Sequence, residues 1–247
     1  MVSATDVAGF LVADSNGLAG QLQATASVLI PGVTISGTTT LSINNTSELV
    51  SAGPFSDGSP AVTVPAGPYL RLEVLDGSLG VVGQTIGANL VLENATRSDG
   101  STVVRIAADE VTASLGDDAV TLTNGSGYFL LSPAGAAGRV SGDIGLGLGD
   151  VTFDGTFSLE ANNTSNPVND TIQLGVSSQT LVLPAGPFTR ISGKNVLLSI
   201  GGQTVSGDFV AQEYTSGGES FVHLAASNIA LSLGDGSNTI LSLTNGT

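Results

Sequence analysis

The residues best suited to bind a ligand are acidic side chains in glycine-containing turns. Asp117 and Asp118 close the segment LGDD, and Asp235 lies in the corresponding segment LGDG. Carboxylates and free backbone carbonyls at loop tips are the oxygen ligands that calcium takes in extracellular proteins. Asp-Gly is also a turn sequence in its own right, so these residues have a purely structural explanation too. Asp117, Asp118 and Asp235 are therefore the candidate metal ligands, with calcium as the ion.

The sequence offers little else from which a catalytic centre could be built. His223 is the single histidine and cysteine is absent, which excludes a thiol nucleophile and leaves zinc without its usual ligands. No arrangement of a nucleophile, a base and an orienting acid is recognisable. The phosphate-binding pattern GxxxxGK[ST] is missing as well. We therefore expect no enzymatic activity, no catalytic residues and no cofactor-binding residues.

The charge balance excludes two classes of partner. The chain carries 6 Lys and Arg against 21 Asp and Glu, a formal net charge of −15. Binding to nucleic acid or to anionic headgroups depends on clustered basic residues, so neither is expected. No run of 18 apolar residues occurs, which predicts that no helix spans a membrane. The first residues lack the basic region and apolar run of a signal peptide.

Two copies of one unit make up the chain. The tetrapeptide PAGP starts at Pro65 and again at Pro184, and NNTS starts at Asn44 and again at Asn162, spacings of 119 and 118 residues. This period assigns residues 1–124 to copy one and residues 125–247 to copy two. Each copy contains about three weaker sub-repeats of roughly 40 residues, built from two strands about a glycine turn. We expect the chain to come from a longer array, since it starts and stops at similar points of the repeat.

Two basic residues occupy matching positions in the copies. Arg71 and Arg190 each follow a PAGP tetrapeptide. We expect ion pairs, or hydrogen bonds to loop carbonyls that hold the PAGP corner; the alternative is one anion contact displayed per repeat. His223 corresponds to Arg105 in copy one. A position that accepts either residue is not expected to supply a base or a metal ligand.

Alternating apolar residues and frequent glycine predict an all-β chain. Val33–Asn44 reads as one strand interrupted at Gly37, where a bulge or bend is expected. In the segment after the first PAGP, Leu70 and Leu72 share one face while Arg71 lies on the other. Residues 45–60, rich in proline, glycine and serine, read as the longest loop.

The register of two hairpins can be predicted by matching side chains. A two-residue type I′ turn at Gly201–Gly202 places Leu198 opposite Val205. A turn at residues 149–150 places Leu146 opposite Phe153 in the same way. Apolar residues then face each other across the strands, as in a sheet with one buried face.

Such hairpins are too small to be stable alone, so they must join a larger sheet. One architecture is an elongated β-solenoid or wound β-meander built from short hairpins. The alternative is two tandem β-sandwich domains, because a copy has the size and strand spacing of a sandwich. The scarcity of large aromatic residues, 4% of the chain, favours the first.

The motifs VPAGPYLRLEV, LPAGPFTRISG, GQT, NNTS and LTNG resemble the tandem-repeat regions of very large bacterial exoproteins and adhesin-like surface proteins. The resemblance implies an extracellular or cell-surface location. It also implies a stalk, fibre or matrix component, acidic and in some cases stiffened by calcium. No catalytic residue follows from it.

These observations together predict a non-catalytic structural segment, a stalk or surface-display spacer in adhesion or filament assembly. Its expected partners are neighbouring repeats of the same chain or further copies of itself. Calcium is the one ion for which ligands are available, and no cofactor is required. Two alternatives stay open: a module that recognises glycans or surfaces, and an open β-groove that carries lipid, which the positive mean hydropathy of +0.34 favours.

Overall fold

A computed structural model of the chain describes residues 2–30, 33–54, 61–81, 84–97, 100–116, 119–216, 219–234 and 238–247. Within these ranges the regular elements are all β-strands, which confirms the all-β prediction. They are β1 Val2–Asp14, β2 Gly17–Ile30, β3 Val33–Asn44, β4 Val50–Ala52, β5 Val62–Val64, β6 Tyr69–Val81, β7 Gln84–Thr96, β8 Thr102–Leu115, β9 Val120–Ser132, β10 Gly135–Leu148, β11 Val151–Asn162, β12 Val168–Leu174, β13 Ser177–Leu183, β14 Phe188–Ile200, β15 Gln203–Ser216, β16 Glu219–Gly234 and β17 Thr239–Gly246.

Thirteen of these strands form one antiparallel sheet in the order β1-β2-β3-β6-β7-β8-β9-β10-β11-β14-β15-β16-β17. Neighbours in the sheet are neighbours in the chain except where a short hairpin intervenes, so the sheet is a meander. The first hairpin, β4–β5, leaves it between β3 and β6; the second hairpin, β12–β13, leaves it between β11 and β14. The copy boundary after residue 124 falls inside β9, and the sheet therefore runs unbroken from one copy into the other.

The two faces of the sheet differ sharply in polarity, because side chains alternate along each strand. On the hairpin face, which carries both hairpins, one cross-strand row reads Thr34, Gly80, Thr85, Ser114 and Thr121. The next row, on the opposite or apolar face, reads Ile35, Leu79, Ile86, Ala113 and Leu122. Along these two rows the alternation seen in the sequence becomes one polar and one apolar surface. Beneath the second hairpin, the hairpin face is apolar as well.

The predicted hairpin registers are confirmed. Leu198 pairs with Val205 about Gly201–Gly202, and both glycines have positive φ, 54° and 79°, as a type I′ turn requires. Leu146 pairs with Phe153 as expected. Cross-strand matching of side chains was therefore a sufficient guide to local pairing.

The interruption at Gly37 is a bulge, but the extra residue belongs to the neighbouring strand. The register between β3 and β6 shifts at this point, and Asp76 of β6 adopts a φ of 52°. Asparagine and aspartate tolerate this left-handed conformation better than other side chains with a Cβ. Equivalent positive-φ residues recur in other strands of the sheet, namely Asp6, Glu110, Asn124, Asn195, Asn228 and Asn245.

Carboxylates beside these bulges bind the neighbouring strands. Asp143 accepts hydrogen bonds from Asn124 and Thr156, and Asp208 accepts from the backbone of Asn195 and the amide of Asn228. These hydrogen bonds hold the pKa of both aspartates below the ordinary value. The acidic residues in the middle of the sheet therefore have a structural role.

The loop predicted for residues 45–60 is only partly a loop. Val50–Ala52 forms β4, which pairs with Val62–Val64, so the prediction was wrong for these three residues. The alternation Val50, Ser51, Ala52 was too short to signal a strand by itself. Residues 55–60 lie outside the described ranges.

The NNTS and PAGP motifs hold each other at the base of each hairpin. Asn162 is 1% exposed, and its amide donates to the carbonyls of Pro184 at 2.7 Å and Asn166 at 3.1 Å. Its carbonyl accepts from the backbone and hydroxyl of Thr164. Asn44 makes the same set of bonds in copy one. The two motifs recur together because neither forms this corner alone.

Replacing Asn162 with alanine is expected to lower the free energy of unfolding by about 2 kcal/mol, because buried carbonyls and the Thr164 groups lose their partner. Denaturant unfolding followed by circular dichroism measures this change. The matched control is Asn169→Ala at an exposed position of β12, which should change stability by less than about 0.5 kcal/mol. Equal losses in the two variants would contradict the proposed role of the corner.

Candidate functional site

The second hairpin belongs to copy two but reaches across the copy boundary onto strands of copy one. β12 lies against β7 and β8, and β13 lies against β9 and β10. The inward residues Ile172, Leu174, Leu181 and Leu183 are at most 3% exposed. They form one apolar cluster with residues of the sheet beneath them, including Val91, Val103, Ala107, Tyr128 and Leu130. The largest buried cluster of the described chain is therefore an interface between the two repeat copies.

An ionic cluster lies beside this apolar core, centred on Asp170 of the hairpin. The guanidinium of Arg105 binds both carboxylate oxygens, through Nε at 2.6 Å and Nη2 at 3.1 Å. Arg97 and the phenol of Tyr128 also donate to Asp170, at 3.1 Å and 2.5 Å. The side chains of Asp170 and Arg105 are only 10% and 15% exposed. A carboxylate of copy two is thus enclosed by two arginines of copy one and by a tyrosine of copy two.

The same cluster continues to the tip of the hairpin. Arg71 donates to Glu73, to Glu93 and to the carbonyl of Gln173. Glu73 in turn accepts from the backbone N–H of Gly175 at 2.8 Å. Side chains of β6 therefore bind the backbone of the hairpin directly, which fixes its position along the strands.

The electrostatics of the cluster favour its charged form. Burial of Asp170 raises the pKa of its carboxyl, but hydrogen bonds from Arg105 and Tyr128 and the charges of Arg105 and Arg97 outweigh this, so the pKa lies below its ordinary value. The hydrogen bond to Asp170 raises the pKa of Arg105. Burial, followed by the bond to Asp170, raises the pKa of Tyr128. At neutral pH Asp170 is therefore ionised, Arg105 is charged and the hydroxyl of Tyr128 is protonated.

A pH dependence follows from the lowered pKa of Asp170. Its contribution to stability is complete above the ordinary pKa of 3.8 and is lost as the pH falls through the lower pKa of the folded protein. Asp170→Asn removes the ionisation, so the stability difference between wild type and variant should shrink as the pH falls from neutral to about 2. Urea unfolding across this range measures it. A difference that stays constant down to the lowest pH would contradict this role.

The two matched arginines form ion pairs, as expected, but they do not hold the PAGP corners. Arg190 binds Glu160, with Nε at 2.7 Å, and lies over the ring of Phe188. The PAGP carbonyls are bound by asparagine instead. His223 is exposed and lies 3.2 Å from the hydroxyl of Tyr214.

The candidate calcium ligands Asp117, Asp118 and Asp235 all lie outside the described residues, so their arrangement stays a prediction. Among the residues that the structure does describe, no group of three or more histidine, cysteine or acidic side chains could hold a metal ion.

The apolar face of the sheet is open and concave. Leu22, Leu41, Leu72 and Phe129 form part of one cross-strand row and are between 37% and 49% exposed. Two adjoining cavities of about 530 Å³ and about 360 Å³ lie on this face, and both are lined by Phe129, Val140 and Leu159. This trough spans β8 to β15. The larger cavity is lined mainly by apolar side chains, whereas Asn162, Asn163, Thr189 and Glu213 also line the smaller one.

The residues that join the copies could not be identified as a site from sequence. No sequence motif marks Asp170, Arg97 or Tyr128 as site residues. Arg105 is recognisable only as the counterpart of His223. One signal was available: Val168, Asp170, Ile172 and Leu174 alternate with more polar residues, which marks a strand with one buried face. A lone aspartate on that face implied a buried partner.

Comparison with protein-family models, with curated proteins and with solved structures finds no match to this chain. Over the described ranges the structure contains no helix of the length and hydropathy needed to cross a membrane.

Proposed function

We propose that this chain is a non-catalytic structural segment of an extracellular repeat protein, acting as a stalk or surface-display spacer. The observation that carries the proposal is the hairpin of copy two, which is clamped on copy one by an apolar cluster and by the enclosed carboxylate of Asp170. A polar cluster whose donors and acceptors bind one another stabilises the structure that it joins. Because the hairpin joins the two repeats, they resist bending relative to each other along the sheet that they share.

The same proposal accounts for the open apolar face. The accessible surface is 14265 Å², whereas a compact monomer of 24.4 kDa has about 10,000 Å². A sheet with one apolar face must bury that face against another layer. We infer that the meander winds so that its apolar face turns inward; packing of two such faces as a sandwich is the alternative.

Small-angle X-ray scattering of the chain, with calcium and with chelator, tests this function. A stiff elongated particle under both conditions is the expected result. A rod that becomes flexible on chelation would give calcium a central role, through Asp117, Asp118 and Asp235. Two compact lobes joined by a flexible link would overturn the continuous ribbon and favour separate sandwiches.

A second candidate function is the carriage of lipid chains, and the concave apolar trough favours it. Its two cavities adjoin at Phe129, Val140 and Leu159. A long acyl chain could lie across several strands in the larger cavity, whose lining contains no charged residue. Burial of acyl methylenes against this surface contributes about 0.8 kcal/mol each. The structural and the lipid-carrying function use opposite faces of one sheet.

Binding of a fluorescent long-chain fatty acid tests the second candidate. Leu159→Asp places a charge in the trough and should weaken binding at least about tenfold, since an uncompensated charge cannot share an apolar site. Val182→Asp is the control, because Val182 is 60% exposed on the outer side of the second hairpin. Absence of saturable binding by the wild-type chain would rule the candidate out.

A further inference from the structure

We propose that the apolar trough binds a single-chain amphiphile whose head is a protonated amine, with the chain in the larger cavity and the head beside Glu213. The inference rests on the lipid-carrying candidate and names the class of ligand that this site would take. The structural function does not depend on it. Both cavities lie within the sheet, because further strands flank them on either side.

The two cavities of the trough differ in polarity. The larger one, of about 530 Å³, crosses β8 to β14 and includes Val111, Leu122 and Ile144 in its lining. The smaller one, of about 360 Å³, continues to Thr189 of β14 and Glu213 of β15. Hydrocarbon suits the first cavity, and a polar head suits the far end of the second. The trough therefore has a direction, from an apolar end to a polar end.

The polar end carries a negative charge. Glu213 is the one charged residue among the described residues that line the two cavities, and it lies between Thr189 and Val222 in its cross-strand row. A cation beside this carboxylate is attracted more strongly than in bulk water, because the apolar surface next to it lowers the effective dielectric constant. An anionic head would be repelled there. The net charge of −15 acts in the same sense, so charge complementarity favours an amine over a carboxylate.

The corresponding position of copy one also carries a hydrogen-bond acceptor. Glu213 corresponds to Asn94 at the spacing of 119, and Asn94 lies between Leu70 and Val104 in its own row. The side-chain oxygen of Asn94 is buried and accepts no hydrogen bond from the described residues. A buried acceptor without a donor costs free energy, which an N–H group of a ligand would recover. The apolar face thus offers one acceptor per repeat, an amide in copy one and a carboxylate in copy two.

Isothermal titration calorimetry with dodecylamine, dodecanol and dodecanoate at neutral pH tests the inference, because the three share one chain and differ only in the head. All three should bind, since the chain occupies the apolar cavity in each case. The amine should bind about fivefold more tightly than the alcohol, and the carboxylate should bind more weakly than both. Added salt should reduce the preference for the amine with little effect on the alcohol.

A variant at Glu213 tests the source of this preference. Glu213→Gln removes the charge and keeps the size of the side chain, so it should weaken binding of dodecylamine about fivefold and leave dodecanol unchanged. The matched control is Asp154→Asn, which removes one negative charge from an exposed position on the hairpin face. It should leave all three affinities unchanged.

The position of the chain is tested by its length. The larger cavity crosses β8, β9, β10, β11 and β14, a width of about 19 Å at the usual spacing of strands. Amines of increasing chain length should bind up to about fourfold more tightly for each added methylene, until the chain fills this width. An affinity that is independent of chain length would overturn the placement of the chain in the cavity.

The remaining outcomes separate this inference from the function on which it rests. Equal affinities for the three heads, or tightest binding of dodecanoate, would overturn the inference and leave lipid carriage intact. Equal losses in Glu213→Gln and Asp154→Asn would overturn it too, because the attraction would then come from the net charge of the chain. Failure of all three ligands to bind would remove both the inference and the lipid-carrying candidate. The comparison of heads uses the wild-type chain, so it decides the question even if Glu213→Gln is unstable.

Discussion

Replacing Asp170 with alanine is expected to lower the free energy of unfolding by about 3 kcal/mol. The substitution leaves the guanidinium of Arg105, whose side chain is 15% exposed, without its bidentate acceptor. It also removes the acceptor for Arg97 and Tyr128. Removing one partner of a buried ion pair is costly, and here the enclosed charge of Arg105 keeps only Glu93 as an ion-pair partner among the described residues. Urea unfolding at neutral pH measures the loss.

The matched control is Asp154→Ala, which removes an exposed aspartate from the hairpin face of the same sheet. Its expected effect is within about 0.5 kcal/mol. Amide hydrogen exchange should locate the damage of Asp170→Ala in residues 168–183 and in the strands beneath them. Faster exchange spread evenly over both copies would mean that the carboxylate supports the whole fold rather than the contact between repeats.

Replacing Leu181 with alanine is expected to cost about 3 kcal/mol. Leu181 is 0% exposed and lies in the middle of the second hairpin, whose strand β13 packs on β9 and β10 of the sheet. The substitution loses the transfer free energy of the removed methyl groups and leaves a cavity that the sheet cannot close. Denaturant unfolding measures the change, and protease resistance of the hairpin provides a second readout.

Val182→Ala is a stringent control, since Val182 is the next residue of the same strand and is 60% exposed. A change below about 0.5 kcal/mol is expected there. Similar losses at both positions would show that the hairpin is stabilised by its own strand pairing. The proposed clamp between copies would then have to be abandoned.

Both predictions concern a contact that crosses the repeat boundary. Strands of copy one receive a hairpin from copy two, so the unit that packs is not the unit that repeats in sequence. A mutation in one copy is therefore expected to lower the stability of strands in the other copy.

The sequence by itself determined the local structure of this protein. The period of 118 or 119 residues, the alternation along β3 and the register about Gly201–Gly202 were all readable, because each depends on residues that are neighbours in the chain or across one turn. The polarity of the two sheet faces followed from the same alternation. These features involve short-range geometry, which composition and spacing express directly.

Only the tertiary structure decided which segment of the chain covers the hairpin face. Asp170 and Arg105 are 65 residues apart in the chain, and Arg71 meets the carbonyl of Gln173 across 102 residues. A strand with one polar and one apolar row specifies that a surface must be buried, but many segments of similar hydrophobicity could bury it. The choice depends on the path of the meander, which places the hairpin of one repeat above the strands of the other.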